Sequence, residues 1–529
     1  MESCTLLLSA GADSTIVRYK TGHTALHLAI AECCSSQHAR YDQHAIVKLL
    51  TDNAAPESLN HSAADRDTPL LTAIRNGFFA IAKWLLDVGS SPNMTDRYNY
   101  SPLSLLCHVY HDFVKMRKKG DSGKKQLKSE DSSACFELIS ADELFDVFLN
   151  LPKEMLDVSL VNNRGETVFH LALHHNLQDF AKRLSRRVVG KASVLRQLNM
   201  DGYSVLHMLA RGKQDQIFAI EIISLLLSSE SSLVKEIIDV RAKDDSTAIY
   251  SAITQKKLEL VKCLAEKGAD VLCVCNGETL LHAAARSGKA ESVSFCIKNG
   301  IEVNAFNRDY WSALHLAAAG HSKDVMMTLM LAEGDVNLPS KPDRYSPFFI
   351  AVRNAHLDLV EIMLPSAKLD QLTRYGETAM TEAARSGNIA ILSTLVAACG
   401  DKRTEEGKRF LDLYSSRGKP PLVAAAERGH KKAVEMLLKN GANPNLVILD
   451  GNSALYAAIG NGQIATVRLL LAWGADLTVV NKCGPRLCCF SYVDPHPHLE
   501  MSPFFSAAKF QNLNVSFYKP LGPLTTFNV

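Results

Sequence analysis

Asn276-Gly277-Glu278-Thr279-Leu280-Leu281-His282-Ala283-Ala284-Ala285-Arg286-Ser287-Gly288 leads into an apolar run that ends at Lys298-Asn299-Gly300. The pattern then begins again at Asp309-Tyr310-Trp311-Ser312-Ala313-Leu314-His315-Leu316-Ala317-Ala318. Thr279 and Ser312 head the two copies and lie 33 residues apart, a period that marks a repeat architecture. Thr279 stands where a hydroxyl caps the free N–H groups of a first helix. Ala283 to Ala285 let a neighbouring backbone come close, and Gly288 closes that helix. Val293, Phe295, Cys296 and Ile297 give a second helix its apolar face, ended by Asn299-Gly300. Two short helices cannot bury such a face alone, whereas stacked copies can.

On either side of this pair the same heads recur, at Thr24, Thr68, Ser101, Thr167, Ser204, Thr247, Thr279, Ser312, Ser346, Thr378, Pro420 and Ser453. Six of the eleven steps between them span 32 to 34 residues, too regular for chance. Thr279-Leu-Leu-His-Ala-Ala and Ser312-Ala-Leu-His-Leu-Ala resemble the signature of the ankyrin repeat. That resemblance implies an all-α solenoid of helix-turn-helix units with short β-turn or hairpin connections.

The longer steps carry insertions, which solenoids place in loops on one face. Residues 1–15 read as a partial repeat, because Leu6 to Asp13 looks like the end of a second helix, and truncation of a longer chain is the favoured explanation. Residues 20–238 hold repeats with insertions, and 244–476 hold regular ones. The polar block 115–133, basic then acidic, is expected to be a mobile loop, with a delayed second helix resuming over 141–149. After Gly474-Ala475-Asp476 the pattern breaks, and 477–529 is expected to be an irregular, disordered tail.

Composition bounds the function. The 529 residues exceed one compact core, 47% are hydrophobic and 22% charged, and the net charge is +2. This balance does not suit a nucleic-acid binder. The basic run 115–128 reads as a solvated loop, the other reading being a nuclear-import or anionic-surface patch. No apolar stretch reaches the roughly 18 residues of a membrane span. Thirteen cysteines at mostly helical positions read as free thiols of a reducing compartment, cytoplasm or nucleus. Cys483, Cys488, Cys489, His496 and His498 in the tail match none of the usual zinc spacings, so neither metal nor cofactor is expected.

His27, His170, His207, His282 and His315 all fall three residues after a head. Five equivalent positions one repeat apart make a structural rung, each imidazole tying neighbouring turns together. Nucleophile elbows, phosphate-cradling loops and His-Glu metal motifs are absent from the sequence, so an enzyme is not expected.

The candidate site is the concave face, where turn tips and first helices stand in rows. Tyr310, Trp311, Arg344 and Tyr345 occupy adjacent tips, and exposed aromatics with arginine anchor interfaces. Arg75, Arg286, Arg353 and Arg385 sit seven residues after their heads, either in a row suited to an acidic segment of a protein partner or as cations that end the first helix well and cover apolar surface with their stems. The reading is a protein-interaction scaffold or adaptor with no small-molecule substrate. The other readings are a regulatory region of a larger enzyme, such as a ubiquitin ligase or kinase, or of a membrane-linked protein such as a channel.

Overall fold

A computed structural model describes residues 2–32, 40–53, 56–118, 139–189, 191–228, 231–400, 409–415, 418–449 and 451–476. The expected tail and most of the polar block therefore lie outside the described residues. The chain is an all-α stack of helix pairs.

First helices form one layer. Ala25–Glu32, Pro69–Arg75, Pro102–Lys118, Val168–His174, Val205–Arg211, Ala248–Thr254, Leu280–Ser287, Ala313–Ala319, Pro347–Arg353, Ala379–Ser386, Pro421–Arg428 and Ala454–Gly460 each pack on the next in sequence. Second helices form the other layer: Phe79–Asp87, Ala141–Asn150, Gln178–Val188, Gln216–Leu226 and Leu258–Glu266 stack in order, and Ala290–Lys298 to Ile464–Ala472 continue the series. Ala283, Ala284 and Ala285 are buried between neighbours, as are Leu280, Leu281, Val293 and Cys296. Each buried Leu or Val contributes roughly 1.5–3 kcal/mol, and only a flanking repeat can bury it.

The 66-residue step between Ser101 and Thr167 holds one repeat. Its first helix packs on Val168–His174, and its second sits between Phe79–Asp87 and Gln178–Val188. That second helix starts with a capping box in which Glu143 N–H donates to Ser140 Oγ at 3.1 Å and Ser140 N–H to Glu143 Oε2 at 2.9 Å. One boundary differs from the sequence reading. The first helix runs on through Lys118, so 115–118 are helical and the expected loop 115–133 does not begin at Lys115.

Fingers join the pairs, and backbone bonds link finger to finger. Asn163 N–H donates to Tyr98 O at 3.0 Å, Met200 to Arg164 at 2.7 Å, Arg308 to Gly277 at 3.1 Å and Arg374 to Asp343 at 2.8 Å. Among the described residues only one finger pairs as a regular hairpin, Val274–Cys275 with Glu278–Thr279, because its Asn276-Gly277 turn has two residues, both with positive φ. A further ladder comes from Asx side chains: Asn60, Asn93, Asp239, Asn304, Asn337, Asp412 and Asn445 each accept a backbone N–H from the next repeat at 2.7–3.1 Å.

The residue nine positions after the head is left-handed in repeat after repeat. Gly77, Gly288, Gly387, Gly429 and Gly462 meet this need without strain, and Asn176, Lys256, His321 and Ala355 meet it with side chains at φ 53–62°. An L-residue with a Cβ loses about 1 kcal/mol there. Replacing exposed Ala355 with glycine is therefore expected to raise the urea midpoint by an amount worth up to about 1 kcal/mol. A lowered midpoint would show that the position carries no strain.

Candidate protein-binding face

Each rung histidine bridges two repeats with the same geometry. His27, His170, His207, His282 and His315 place Nδ1 at 2.8–2.9 Å from the hydroxyl of their own head. Nε2 lies 2.9–3.1 Å from a backbone carbonyl of the next repeat, that of Asp67, Tyr203, Ser246, Trp311 and Tyr345 respectively. A carbonyl only accepts, so Nε2 carries the proton and Nδ1 receives the head's hydroxyl and N–H. Every carbonyl so used belongs to the residue just ahead of the next head. In the repeat headed by Thr378 the histidine is replaced by Thr381, which donates to Lys419 O at 3.3 Å.

Burial disfavours the imidazolium at each rung and pushes the pKa of His27, His170 and His315 down to about 4, with His207 and His282 moved the same way. The neutral tautomer is thus part of the fold.

The residue ahead of the head also uses its side chain, and here the structure joins two rows that the sequence reading kept apart. Asp67 takes the Arg75 guanidinium in two bonds of 2.9 Å, and Asp96 takes it at 2.8 Å. Glu278 pairs with Arg286, and Glu377 with Arg385, which also meets Glu382 at 2.8 Å. Lys419 and Glu427 reverse the charges at 2.6 Å, and Glu166 reaches His174 at 3.5 Å. Burial raises the Asp67 carboxyl in spite of its arginine. Glu278, which burial alone would raise, is held low by Arg286 and by the Tyr250 hydroxyl at 2.8 Å. Arg75, Arg286 and Arg385 are therefore not a row of unclaimed cations, because each already serves a carboxylate of its own repeat. Neighbours eight residues apart on a helix-and-finger unit have no simple spacing signature, and a systematic comparison of the copies would have been needed to see them.

Arg353 differs. The residue ahead of its head is Tyr345, and the guanidinium lies over that ring at 5.2 Å. Tyr345 in turn stacks on Phe349 at 4.9 Å. On the adjacent finger Tyr310, 46% exposed, carries Lys341 Nζ over its ring at 4.8 Å. Tyr310, Trp311, Lys341, Tyr345, Arg353 and Arg308 border one cleft of about 710 Å³, together with Asp309 and Asp343. Among the described residues Arg308, Lys341 and Arg353 form no ion pair. Arg344, left-handed at φ 58°, stands beside this cleft in the chain and is not part of its lining.

Among the described residues no helix is long and apolar enough to cross a membrane, and no group of three or more His, Cys, Asp or Glu side chains converges as a metal site.

Family models agree with this geometry. A model of three-copy ankyrin repeats matches residues 218–307, 252–340, 314–406 and 403–481, and a single ankyrin-repeat model matches 65–94. The putative ankyrin repeat protein YahD of Escherichia coli (strain K12) is 30% identical over 200 residues, covering 36% of this chain and 94% of its own length. The ankyrin repeat and KH domain-containing protein mask-1 of Caenorhabditis elegans is 27% identical over 252 residues, 46% of this chain and 9% of that protein. A leucine-rich repeat serine/threonine-protein kinase of the same organism is 26% identical over 252 residues, 44% of this chain and 10% of its own. The chain thus spans nearly all of YahD and about a tenth of the two longer relatives.

The neutral rungs carry a pH dependence. With the His315 pKa lowered from 6.5 to about 4, the unfolded chain binds more protons than the folded one across that window. The rung's contribution is full above pH 6.5 and is lost as the pH falls toward 4, at about 1.4 kcal/mol for every pH unit crossed. Urea melts are expected to weaken steadily between pH 6.5 and 4.5, and His315→Thr, which copies the solution at Thr381, to flatten that slope. An unchanged slope would refute the assignment.

Proposed function

Because this chain belongs to the ankyrin-repeat family, we propose that it is a protein-binding scaffold whose partner docks on the fingers around Tyr310, Trp311, Lys341, Tyr345 and Arg353. Ankyrin repeats are in general protein-interaction modules. The observation that carries the choice of surface is the break in the charge pairing. Elsewhere a carboxylate answers the arginine seven residues after the head, whereas at Arg353 an aromatic ring does.

An arginine or lysine over an exposed ring offers a partner both a flat apolar contact and a cation. Three cations border the cleft against two carboxylates, so the matching segment is acidic with apolar side chains between its charges. Arg75, Arg286 and Arg385 shape the same face while held by their own acids. The likeness to a small part of much longer proteins, one of them a kinase, supports a second reading in which the array regulates a larger enzyme. Cytoplasm or nucleus is the proposed location, and the scheme needs no cofactor.

Affinity capture with the full chain identifies the partner, and Tyr310→Ala combined with Arg353→Glu tests the surface. The pair is expected to weaken binding at least about tenfold, since an anchor of this type is worth about 2 kcal/mol, with unchanged circular dichroism. Undiminished binding by a folded double variant would move the site elsewhere on the stack.

A further inference from the structure

A tyrosine stands just ahead of the head at Tyr100, Tyr203 and Tyr345, and each ring meets the side chain seven residues after that head. Arg353 lies over Tyr345 at 5.2 Å, Arg211 over Tyr203 at 4.5 Å, and His108 stacks on Tyr100 at 5.5 Å. Asp244 closes the middle pair, accepting from Arg211 and from the Tyr203 hydroxyl, both at 3.1 Å. The outer two pairs each border a cleft.

The cleft beside Tyr100 has a volume of about 360 Å³, and its wall repeats that of the larger one. Tyr100 and Tyr345 precede their heads, Leu105 and Ile350 follow by four residues, and His108 and Arg353 by seven. An exposed tyrosine bearing a cation completes both walls. Tyr98, 46% exposed, carries Arg97 over its ring at 4.6 Å, as Tyr310 carries Lys341. The remaining wall is the following finger here, through Asn162, Asn163 and Arg164, and the preceding finger at the larger cleft. The smaller site is held in shape: Asn99 Nδ2 donates to Asn163 Oδ1 at 2.7 Å across the two fingers, and His175 Nε2 lies 3.4 Å from His108 Nδ1.

Among the described residues no carboxylate borders this second cleft. Arg75 is answered by Asp67 and Asp96, whereas Arg97 and Arg164 form no ion pair among the described residues. Both clefts therefore set unanswered positive charge beside aromatic rings, which suits an acidic side chain next to an apolar one. Five packing steps separate them, from Pro102–Lys118 to Ala313–Ala319 through the first helices between. At about 8–10 Å for each packed pair the span is about 40–50 Å.

Resting on the protein-binding reading above, we infer that the cleft at Tyr98, Tyr100, His108 and Arg164 is a second docking point for the same partner polypeptide. That partner carries two acidic-aromatic blocks separated by at least about 12–15 residues, the fewest that cross the span at about 3.3–3.6 Å each. Once one block is seated, the other binds at the effective concentration that the intervening chain sets, so joint affinity exceeds that of either cleft.

Fluorescence anisotropy of labelled synthetic peptides, titrated with the full chain, tests this. One peptide carries two Glu-Glu-Tyr-Glu blocks joined by about twenty Gly and Ser residues, and a control of equal length carries one block. The two-block peptide is expected to bind at least about tenfold more tightly than the control. Tyr98→Ala combined with Arg164→Glu should remove that gain and leave the control within about threefold of its wild-type affinity, since the larger cleft still takes one block. Both side chains are exposed, and Arg164→Gln alone, which removes the charge and keeps the stem, covers the case in which the double variant fails to fold. A gain that persists in the folded variants, or no gain with the wild-type chain, would overturn the second docking point. If in addition Tyr310→Ala with Arg353→Glu leaves the control's binding unchanged, the reading of the larger cleft falls as well; if that variant weakens it, only the second cleft is lost.

Discussion

At six junctions the carbonyl just ahead of a head is where one repeat is fastened to the next. It accepts the Nε2–H of the preceding rung at His27, His170, His207, His282 and His315, and a threonine hydroxyl at Thr381. A helix pair has no core of its own, so its Leu and Ala faces gain only when the neighbour is held in register. The rung supplies that register. It does so with a neutral donor, whose ring is costly to charge when buried and whose bond points in one direction.

The same residue turns outward with its side chain, and this second use sets the character of the proposed binding face. With Asp67, Glu278 or Glu377 there, the arginine at the end of the first helix is held and its charge answered within the repeat. Tyr203 and Tyr345 accept the arginine on their rings instead, but Arg211 still finds Asp244 at 3.1 Å whereas Arg353 finds no carboxylate among the described residues. A fixed scaffold thus varies its surface by one position per repeat. Stability and surface character separate because the backbone carbonyl serves the one and the side chain serves the other.

The insertions show how much the stack tolerates. Between Ser101 and Thr167 the chain departs after a 17-residue first helix and returns with a capped second helix, and neither layer loses its order. Family models leave this stretch unmatched although its finger bonds to its neighbours, through Asn163 to Tyr98 and Met200 to Arg164, resemble those elsewhere. A long excursion costs little chain entropy once its ends are anchored, since closure grows only with the logarithm of length.

The period, the heads, the helix pairs and the recurrence of the five histidines were all legible along the chain, because each follows from local spacing. The aromatic fingers at Tyr310, Trp311 and Tyr345 could be located in the same way. What those groups meet came from the packing of the copies. The pairing of Asp67 with Arg75 links residues eight apart across a finger and a helix end, a separation outside the i,i+4 relation that reads as contact in sequence. The left-handed conformation of Ala355 has no residue signature, since glycine is absent there. His108 and His175 meet across an insertion that breaks the period, and no spacing rule spans a break of that kind. Local chemistry is written in the order of residues; which charges are already answered is fixed only when the copies lean on one another.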